Sequence, residues 1–187
     1  MPRIPLPTPE NLTPEQKRVY DKVVAGPRGQ LRGPLRAALY NPELADHWQA
    51  LGALLRYGTS LPARLSELAI LVTGRHCRAP FEWHAHRIEA EKAGVEQAII
   101  AAILARQTPP GMSEDDAGIF HFALELNRSD SVSDATYAVA LARFGARAVV
   151  ELTALVGYYT LVAMTLNAHE IELPDGVTAA FKRPLDE

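Results

Sequence analysis

The chain of 187 residues has one cysteine, no excess of positive charge and no long apolar run. The single cysteine, Cys77, leaves no partner for an intrachain disulfide and excludes a cysteine-cluster zinc site. With 19 basic and 22 acidic side chains, the sequence predicts no basic face for nucleic acid or an anionic membrane. No window approaches about eighteen uninterrupted apolar residues, and prolines interrupt the start of the chain. We therefore expect a cytoplasmic protein without nucleic-acid or membrane partners.

Alternating strand patterns are also missing, whereas apolar residues at helical spacing recur along most of the chain. Helix starts are marked by Thr13-Pro14, Asn41-Pro42 and Ser113, and glycine or proline follows most of the apolar segments. These signals predict an all-α fold, a single-domain helical bundle of about eight helices.

The chain divides into a short arm and one domain. Residues 1–12 contain four prolines and predict an N-terminal arm that lies on the surface or wraps a neighbouring subunit. The remaining residues, 13–187, have the size and apolar content of one globular domain. Its two most apolar helices, one from Pro62 to about Thr73 and one after Gly145, are expected in the core.

Residues 75–94 contain three of the six histidines and several carboxylates. If a helix begins near Pro80, Glu82 and His86 lie four residues apart on one face and can hydrogen-bond. The pair predicts proton transfer, although such a pair can equally be a surface contact that contributes about 0.2–0.5 kcal/mol. His84 should point roughly 200° away, so the His-x-His string is a poor chelate and we predict no metal ion.

Glu67 lies in a strongly apolar helix, where an unpaired carboxylate is costly and tends to hold its proton. It can belong to a pocket, hydrogen-bonding His86, or form an ion pair with Arg64 or a neighbour. Arg64 and Arg75 can each bind a substrate carboxylate through the guanidinium fork, or serve Glu67 instead.

The aromatic residues and the thiol each allow two interpretations. Phe81 and Trp83 are either packing residues or walls of a substrate pocket. Cys77 is either a small buried apolar residue or a nucleophile. Tyr158 and Tyr159 belong to the core or to an interface, because the final helix is too apolar to stand alone.

Three segments carry a family resemblance: 61–68 (LPARLSEL), 81–94 (FEWHAHRIEAEKAG) and 157–159 (GYY). Together they resemble the carboxymuconolactone decarboxylase family, which includes the alkyl hydroperoxidase D-type enzymes, over about residues 40 to 170. The resemblance implies an all-α fold whose subunits form a homotrimer or homohexamer, with pockets near the subunit contacts. It also implies that the family's reactive group and histidine fall at Glu82 and His86.

The peroxidase branch of this family carries a Cys-x-x-Cys-x-x-x-His motif. With its histidine on His86, the two cysteines fall at Ala79 and Glu82, and Cys77 lies two residues before the first of them. A thiolate that attacks peroxide needs a resolving thiol, which this chain lacks. The Glu-Trp-x-x-His pattern instead resembles the decarboxylase-like branch.

These observations predict a cofactor-free lyase that acts on a small carboxylated lactone or cyclic compound. His86 would be the general acid or base, Glu82 would orient it or share its proton, and Glu67 would set the charge of the site. Two alternatives stay open. One is a thiol-dependent, peroxidase-type oxidoreductase that uses Cys77 with an external thiol. The other is a non-catalytic oligomer that binds a small molecule.

Overall fold

The computed structural model describes residues 1–184, which form eight α-helices and no strand. The predicted all-α fold is therefore confirmed. A short 3-10 turn, Pro9–Asn11, precedes the first helix. The helices are α1 (Pro14–Ala25), α2 (Pro34–Ala38), α3 (Pro42–Tyr57), α4 (Ala63–His76), α5 (Pro80–Lys92), α6 (Gln97–Leu104), α7 (Glu114–Ser129) and α8 (Asp134–Ala168).

Three predicted helix starts have the expected caps. The side chains of Thr13, Asn41 and Ser113 accept hydrogen bonds from backbone N–H groups in the first turns of α1, α3 and α7. The sequence interpretation missed α2, because five residues are too short to display a helical period. Helix α4 also continues beyond the predicted end at Thr73, to His76.

Helix α4 forms the centre of the bundle. Its residues 65–74 are all buried, and it packs against α5, α7 and α8. A helix that is covered on several sides needs apolar residues all round, which explains the near-continuous apolar sequence. Any polar side chain on this helix, Glu67 above all, must therefore find its partners inside the protein.

Helix α8 contains two helical segments that meet at Gly145. Gly145 has φ 79° and ψ 165°, a conformation that favours glycine and marks the predicted break. By length and composition α8 could span a membrane. This is weak evidence for a membrane-spanning segment, because core helices of the same length and composition pass the same test. Half of its most apolar window is buried, and the helix packs against α3, α4, α5 and α7.

The N-terminal arm lies on its own chain. The backbone N–H of Arg3 donates to the carbonyl of His169 at 2.9 Å, and the Tyr40 hydroxyl donates to the carbonyl of Pro5 at 2.7 Å. The arm therefore connects α2 with the segment after α8. Residues 185–187, the last of the predicted domain, lie outside the described residues.

Candidate functional site

Glu67 of α4 and His86 of α5 are joined by a 2.7 Å hydrogen bond between Oε2 and Nδ1. Both residues are buried, and the close packing of α4 against α5 brings them together across 19 positions of sequence. A carboxylate only accepts hydrogen bonds, so the contact places an imidazole proton on Nδ1 and leaves Nε2 as the nitrogen that can exchange a proton with a ligand. The predicted contact between Glu67 and His86 is confirmed.

Arg56 of α3 provides the positive charge beside this pair. Its Nε lies 3.5 Å from Oε1 of Glu67, and its Nη2 lies 3.4 Å from Oε2 of Glu89. The Arg56 side chain is only 19% exposed, so solvent screens these contacts weakly. Glu67 is thus held between a guanidinium and an imidazole, as a buried carboxylate requires.

A cavity of about 440 Å³ opens beside His86. Its walls come from α5, α8, the end of α3 and the loop between α1 and α2. The ring of Tyr159 meets that of His86 edge-on, with 4.8 Å between the centroids. Phe81 also lines this cavity, and so does the half-buried His84, which was expected to point away.

Glu82 borders the same cavity but does not contact His86. It is 1% exposed, and neither carboxyl oxygen has a hydrogen-bond partner among the described residues. Burial raises the pKa of the Glu82 carboxyl well above its usual range, so the site favours the neutral, protonated form of this group. A neutral carboxyl is a weaker acceptor than the Glu67 carboxylate. The prediction that Glu82 pairs with His86 is therefore wrong.

Positive side chains surround the outer part of the cavity. Arg28 and Arg32 reach it from the loop 26–33, and Lys92 reaches it from the end of α5. Arg28 donates from Nη2 to the Tyr158 hydroxyl at 3.3 Å, while its buried Nε has no partner. The arrangement is suited to an anionic ligand.

The acidic side chains of the lining leave Arg28 and Arg32 without a counter-charge. Burial favours the neutral form of Glu82, and Glu89 pairs with Arg56 and with Lys92, whose Nζ lies 3.0 Å from it, so Glu89 compensates Lys92 rather than the two arginines. The sequence does not predict the positions of Arg28 and Arg32, because a glycine-rich loop has no period that indicates where its side chains point.

Two residues predicted to bind substrate lie away from this cavity. Trp83 is buried on another face of α5, where its ring packs edge-on against Phe181 at 5.9 Å. Arg64 donates to the carboxylate of Asp116 and pairs with Glu96 at the start of α6, and it does not pair with Glu67. Both are used in packing one helix against another.

Arg75 also lies elsewhere. Its Nε donates to the carbonyl of Leu104 at 2.8 Å, and its guanidinium stacks on Phe181 at 4.5 Å. It borders a separate cavity at the opposite end of α4. Sequence spacing could not predict that Arg75 lies away from the His86 site. The nine residues 67–75 of α4 are enough to take the helix from Glu67, beside His86, to a different cavity.

Cys77 is half-buried at the end of α4 and borders a third, more open cavity rather than the one beside His86. Burial raises the pKa of its thiol to about 11, so the thiolate is scarce at neutral pH. Within residues 1–184, no group of three or more His, Cys, Asp and Glu side chains is arranged to hold a metal ion.

Several solved structures share this fold. An uncharacterized peroxidase-related protein from Silicibacter sp. TM1040 is 16% identical, with a TM-score of 0.76 over 93% of this chain and 92% of that chain. An alkylhydroperoxidase AhpD core from Ralstonia eutropha JMP134 is 14% identical, with a TM-score of 0.76 over 93% of each chain. A cysteine-to-alanine variant of the debrominase Bmp8, in complex with 2,3,4-tribromopyrrole, is 15% identical, with a TM-score of 0.74 over 91% of this chain and 90% of that chain. At these identities the likeness concerns the fold alone.

No curated protein matches the chain in sequence. The sequence profile of the carboxymuconolactone decarboxylase family, in contrast, matches residues 42–120. This range contains Glu67, Glu82 and His86, and the surrounding bundle has the fold of the AhpD-type structures. Residues 42–120 of the chain are thus similar to the carboxymuconolactone decarboxylase family, and the chain has the fold of the AhpD-type structures.

Proposed function

We propose that the protein is a cofactor-free lyase that releases carbon dioxide from a small carboxylated lactone or cyclic compound. The observation that carries the proposal is the 2.7 Å bond between Glu67 and His86 beside a cavity that also contains the neutral Glu82. The proposed reaction uses two such groups, one that exchanges a proton with the substrate and one that stays protonated and donates a hydrogen bond. Neither group requires a cofactor for this chemistry.

The cavity suits a substrate with two carboxylates. A volume of about 440 Å³ is in the range of small-molecule sites, and the outer part is positively charged. Binding the departing carboxylate to arginine would stabilise the ground state, so we assign the Arg28 and Arg32 contacts to a second carboxylate that is retained. The departing group would then lie nearer the apolar wall at Phe81 and Val162, where it is poorly solvated.

A small ring also agrees with one protein of the same fold. The debrominase Bmp8 has been solved in complex with 2,3,4-tribromopyrrole, a compact planar ring. A carboxylated five- or six-membered lactone has a comparable shape. Compounds of this class occur in the breakdown of aromatic compounds, which is the setting we propose for the reaction.

In the proposed step, the bond between a ring carbon and the departing carboxylate breaks. Its electron pair moves into a conjugated carbonyl of the substrate, and carbon dioxide leaves. Glu82 donates a hydrogen bond to that carbonyl oxygen, where negative charge develops. His86, protonated at Nε2, delivers one proton to carbon and regains it from solvent. The balance is one carboxylate and one proton consumed, with one C–H bond and one carbon dioxide formed.

Glu67 orients the imidazole and stabilises its positive charge when Nε2 is protonated. Arg56 in turn fixes the Glu67 carboxylate from the opposite side. This assignment differs from the sequence expectation, in which Glu82 had the orienting role. We assign that role to Glu67 because it is the carboxylate that hydrogen-bonds His86.

The thiol-dependent alternative finds less support in the geometry. Cys77 has a raised pKa and borders a different cavity from His86, so a peroxide beside the imidazole would not meet the thiol. Binding without catalysis is the other alternative, and it is an outcome of the experiment below.

We also propose that the protein is a cytoplasmic homotrimer or homohexamer. Val150, Leu161 and Met164 are exposed on α8, separated by eleven and three residues, so they lie on similar sides of the helix. An exposed apolar stripe of this kind is typical of a subunit contact. Light scattering coupled to size exclusion should give three or six times the 20.4 kDa chain mass.

The experiment is an assay of carboxymuconolactone and related carboxylated lactones, with carbon dioxide release and product NMR as readouts. The wild-type protein should release carbon dioxide, and His86→Gln should abolish turnover while keeping the helical circular dichroism spectrum. His121→Gln is the matched control, because His121 is exposed and lies outside the cavity. Turnover retained by His86→Gln would contradict the assignment. A compound that raises the melting temperature but is recovered unchanged would favour binding without catalysis.

A further inference from the structure

A second cavity, of about 260 Å³, lies at the far end of α4. Three arginines border it: Arg75 at the end of α4, Arg106 just after α6 and Arg128 near the end of α7. His76 lies at the same rim. This cavity shares no lining residue with the one beside His86, so the two can be altered independently.

The positive charge of this second cavity has little compensation. No carboxylate belongs to its lining among the described residues, and the guanidinium groups of Arg106 and Arg128 form no hydrogen bond or ion pair with any of those residues. Burial, followed by the charges of Arg106 and Arg128, lowers the pKa of His76, and only Asp130 acts in the opposite sense. An anionic ligand would relieve this repulsion.

The guanidinium groups are also positioned for use. The Nε of Arg75 donates to the carbonyl of Leu104, and the guanidinium plane rests on the Phe181 ring. These two contacts fix the side chain and leave its Nη groups available to a ligand. Arg106 has φ 59°, the left-handed conformation at a helix end where glycine is usual. An arginine at this position places a long cation where the backbone itself favours a residue with no side chain.

The inner wall of the second cavity is apolar. It is formed by the side chains of Val72, Ile103, Phe120 and Leu124, of which only Leu124 is not fully buried. The site therefore has an apolar surface on one side and three cations on the other. A bare inorganic anion would use only half of it.

We infer that the second cavity binds an aromatic or heteroaromatic compound that carries at least two negative charges, as a phosphate ester or a dicarboxylate does. A guanidinium group can form two parallel hydrogen bonds with either a phosphate or a carboxylate, and the aromatic ring of the ligand would cover Phe120 and Leu124. This inference does not depend on the proposed lyase activity, because no residue of the His86 cavity takes part.

Isothermal titration of the full-length protein at low salt tests the inference, with phenyl phosphate, phthalate, inorganic phosphate and phenol as probes. We expect saturable binding of phenyl phosphate or phthalate that weakens with added salt. Whichever of the two binds more tightly identifies the phosphate or the carboxylate as the preferred anionic group. Phenol and inorganic phosphate should each bind at least about tenfold more weakly, because each lacks one half of the ligand.

Two variants locate the binding. Arg128→Ala and Arg106→Gly should each weaken it about tenfold or more, and glycine at position 106 suits the left-handed backbone, so that variant should keep the fold. Arg18→Ala removes an exposed arginine outside both cavities and should bind as the wild type does. Lack of saturable binding, or binding that both variants retain, overturns the inference. Binding lost in Arg28→Ala but kept in Arg128→Ala places the probe beside His86 and overturns it as well.

Discussion

Gly74 of α4 provides the space in which the carboxyl group of Glu82 is buried. A Cβ atom at position 74 would lie 2.9 Å from Oε1 of Glu82, closer than a Cβ atom normally approaches any neighbour. Glycine within a helix is normally destabilising by about 1 kcal/mol relative to alanine. Its presence here is explained by the side chain on the facing helix.

This relationship predicts that Gly74→Ala destabilises the protein by about 1–3 kcal/mol, because the added methyl group displaces the Glu82 carboxyl. In a Glu82→Ala background the same substitution should instead be neutral or stabilising, since the space is then free. Urea unfolding of the four proteins of this double-mutant cycle measures the coupling. Additive effects would show that Gly74 and Glu82 do not constrain each other.

The neutral state of Glu82 predicts how stability changes with pH. Burial raises the pKa of Glu82 in the native protein, whereas in the unfolded chain the carboxyl has an ordinary pKa of about 4.3. As pH rises above that value, the unfolded chain loses the proton and the native protein keeps it. Stability is thus lost as pH rises towards the native pKa, with a slope of at most about 1.4 kcal/mol per pH unit.

Glu82→Gln cannot titrate, so its free energy of unfolding should lack this decline. The variant should gain on the wild type progressively as pH rises above about 4 and towards the raised native pKa of Glu82, as measured by urea unfolding at each pH. The comparison cancels the contributions of the other carboxylates, which both proteins share. Parallel stability curves would mean that Glu82 is ionised in the native protein.

Glu67 should affect stability and activity in different ways. Glu67→Ala removes one of the two carboxylates that the largely buried Arg56 contacts and leaves the His86 Nδ1–H without its acceptor, so we expect a loss of about 3 kcal/mol in the free energy of unfolding. Glu67→Gln keeps an oxygen acceptor for Nδ1 and should be milder for stability. Without the negative charge, however, the imidazolium is less stabilised, and kcat should fall about 10- to 100-fold.

A comparison of kinetics with folding separates this role from a purely structural one. If Glu67 supports the charge of His86 during the reaction, Glu67→Gln should lower kcat with little change in KM and with an unchanged helical circular dichroism spectrum at the assay temperature. A loss of kcat that only follows a matching loss of folded protein would argue that Glu67 supports the fold alone.

The helices and the central dyad could be predicted from the sequence because their signals are local. The caps at Thr13, Asn41 and Ser113 and the break at Gly145 depend on backbone preferences of single residues. Glu67 was noticed because a carboxylate in an apolar helix must find a partner. These signals need no knowledge of the neighbouring helices.

The partner choices could not be predicted in the same way. Four-residue spacing places Glu82 and His86 on one face of α5, but α4 and α3 present a charged Glu67–Arg56 pair that binds the imidazole instead. Arg64 likewise has a better-placed acid, Asp116 on α7, than the Glu67 of its own helix. Which of two acceptable partners is used depends on helix packing that periodicity does not specify.

Arg28 should determine substrate affinity more than the rate of the chemical step. Arg28→Ala removes a guanidinium whose buried Nε has no other partner, so KM for a dicarboxylate substrate should rise about tenfold with little change in kcat. Monocarboxylate analogues should be affected less, since they lack the second anionic group. Arg87→Ala is a suitable control because Arg87 pairs with Glu91 on α5 and lies outside the cavity. A change confined to kcat would assign Arg28 to the reaction itself.

Cys77 should react slowly in the native protein and should be dispensable for turnover. With a pKa of about 11, only about one thiol in 10⁴ is ionised at pH 7. Alkylation by iodoacetamide should therefore be much slower in the native than in the urea-unfolded protein, and its rate should increase about tenfold per pH unit up to pH 10. Cys77→Ala should keep the lyase activity, because the thiol borders a different cavity from His86. Rapid oxidation of native Cys77 by peroxide at pH 7, reversed by a thiol, would instead favour the oxidoreductase alternative.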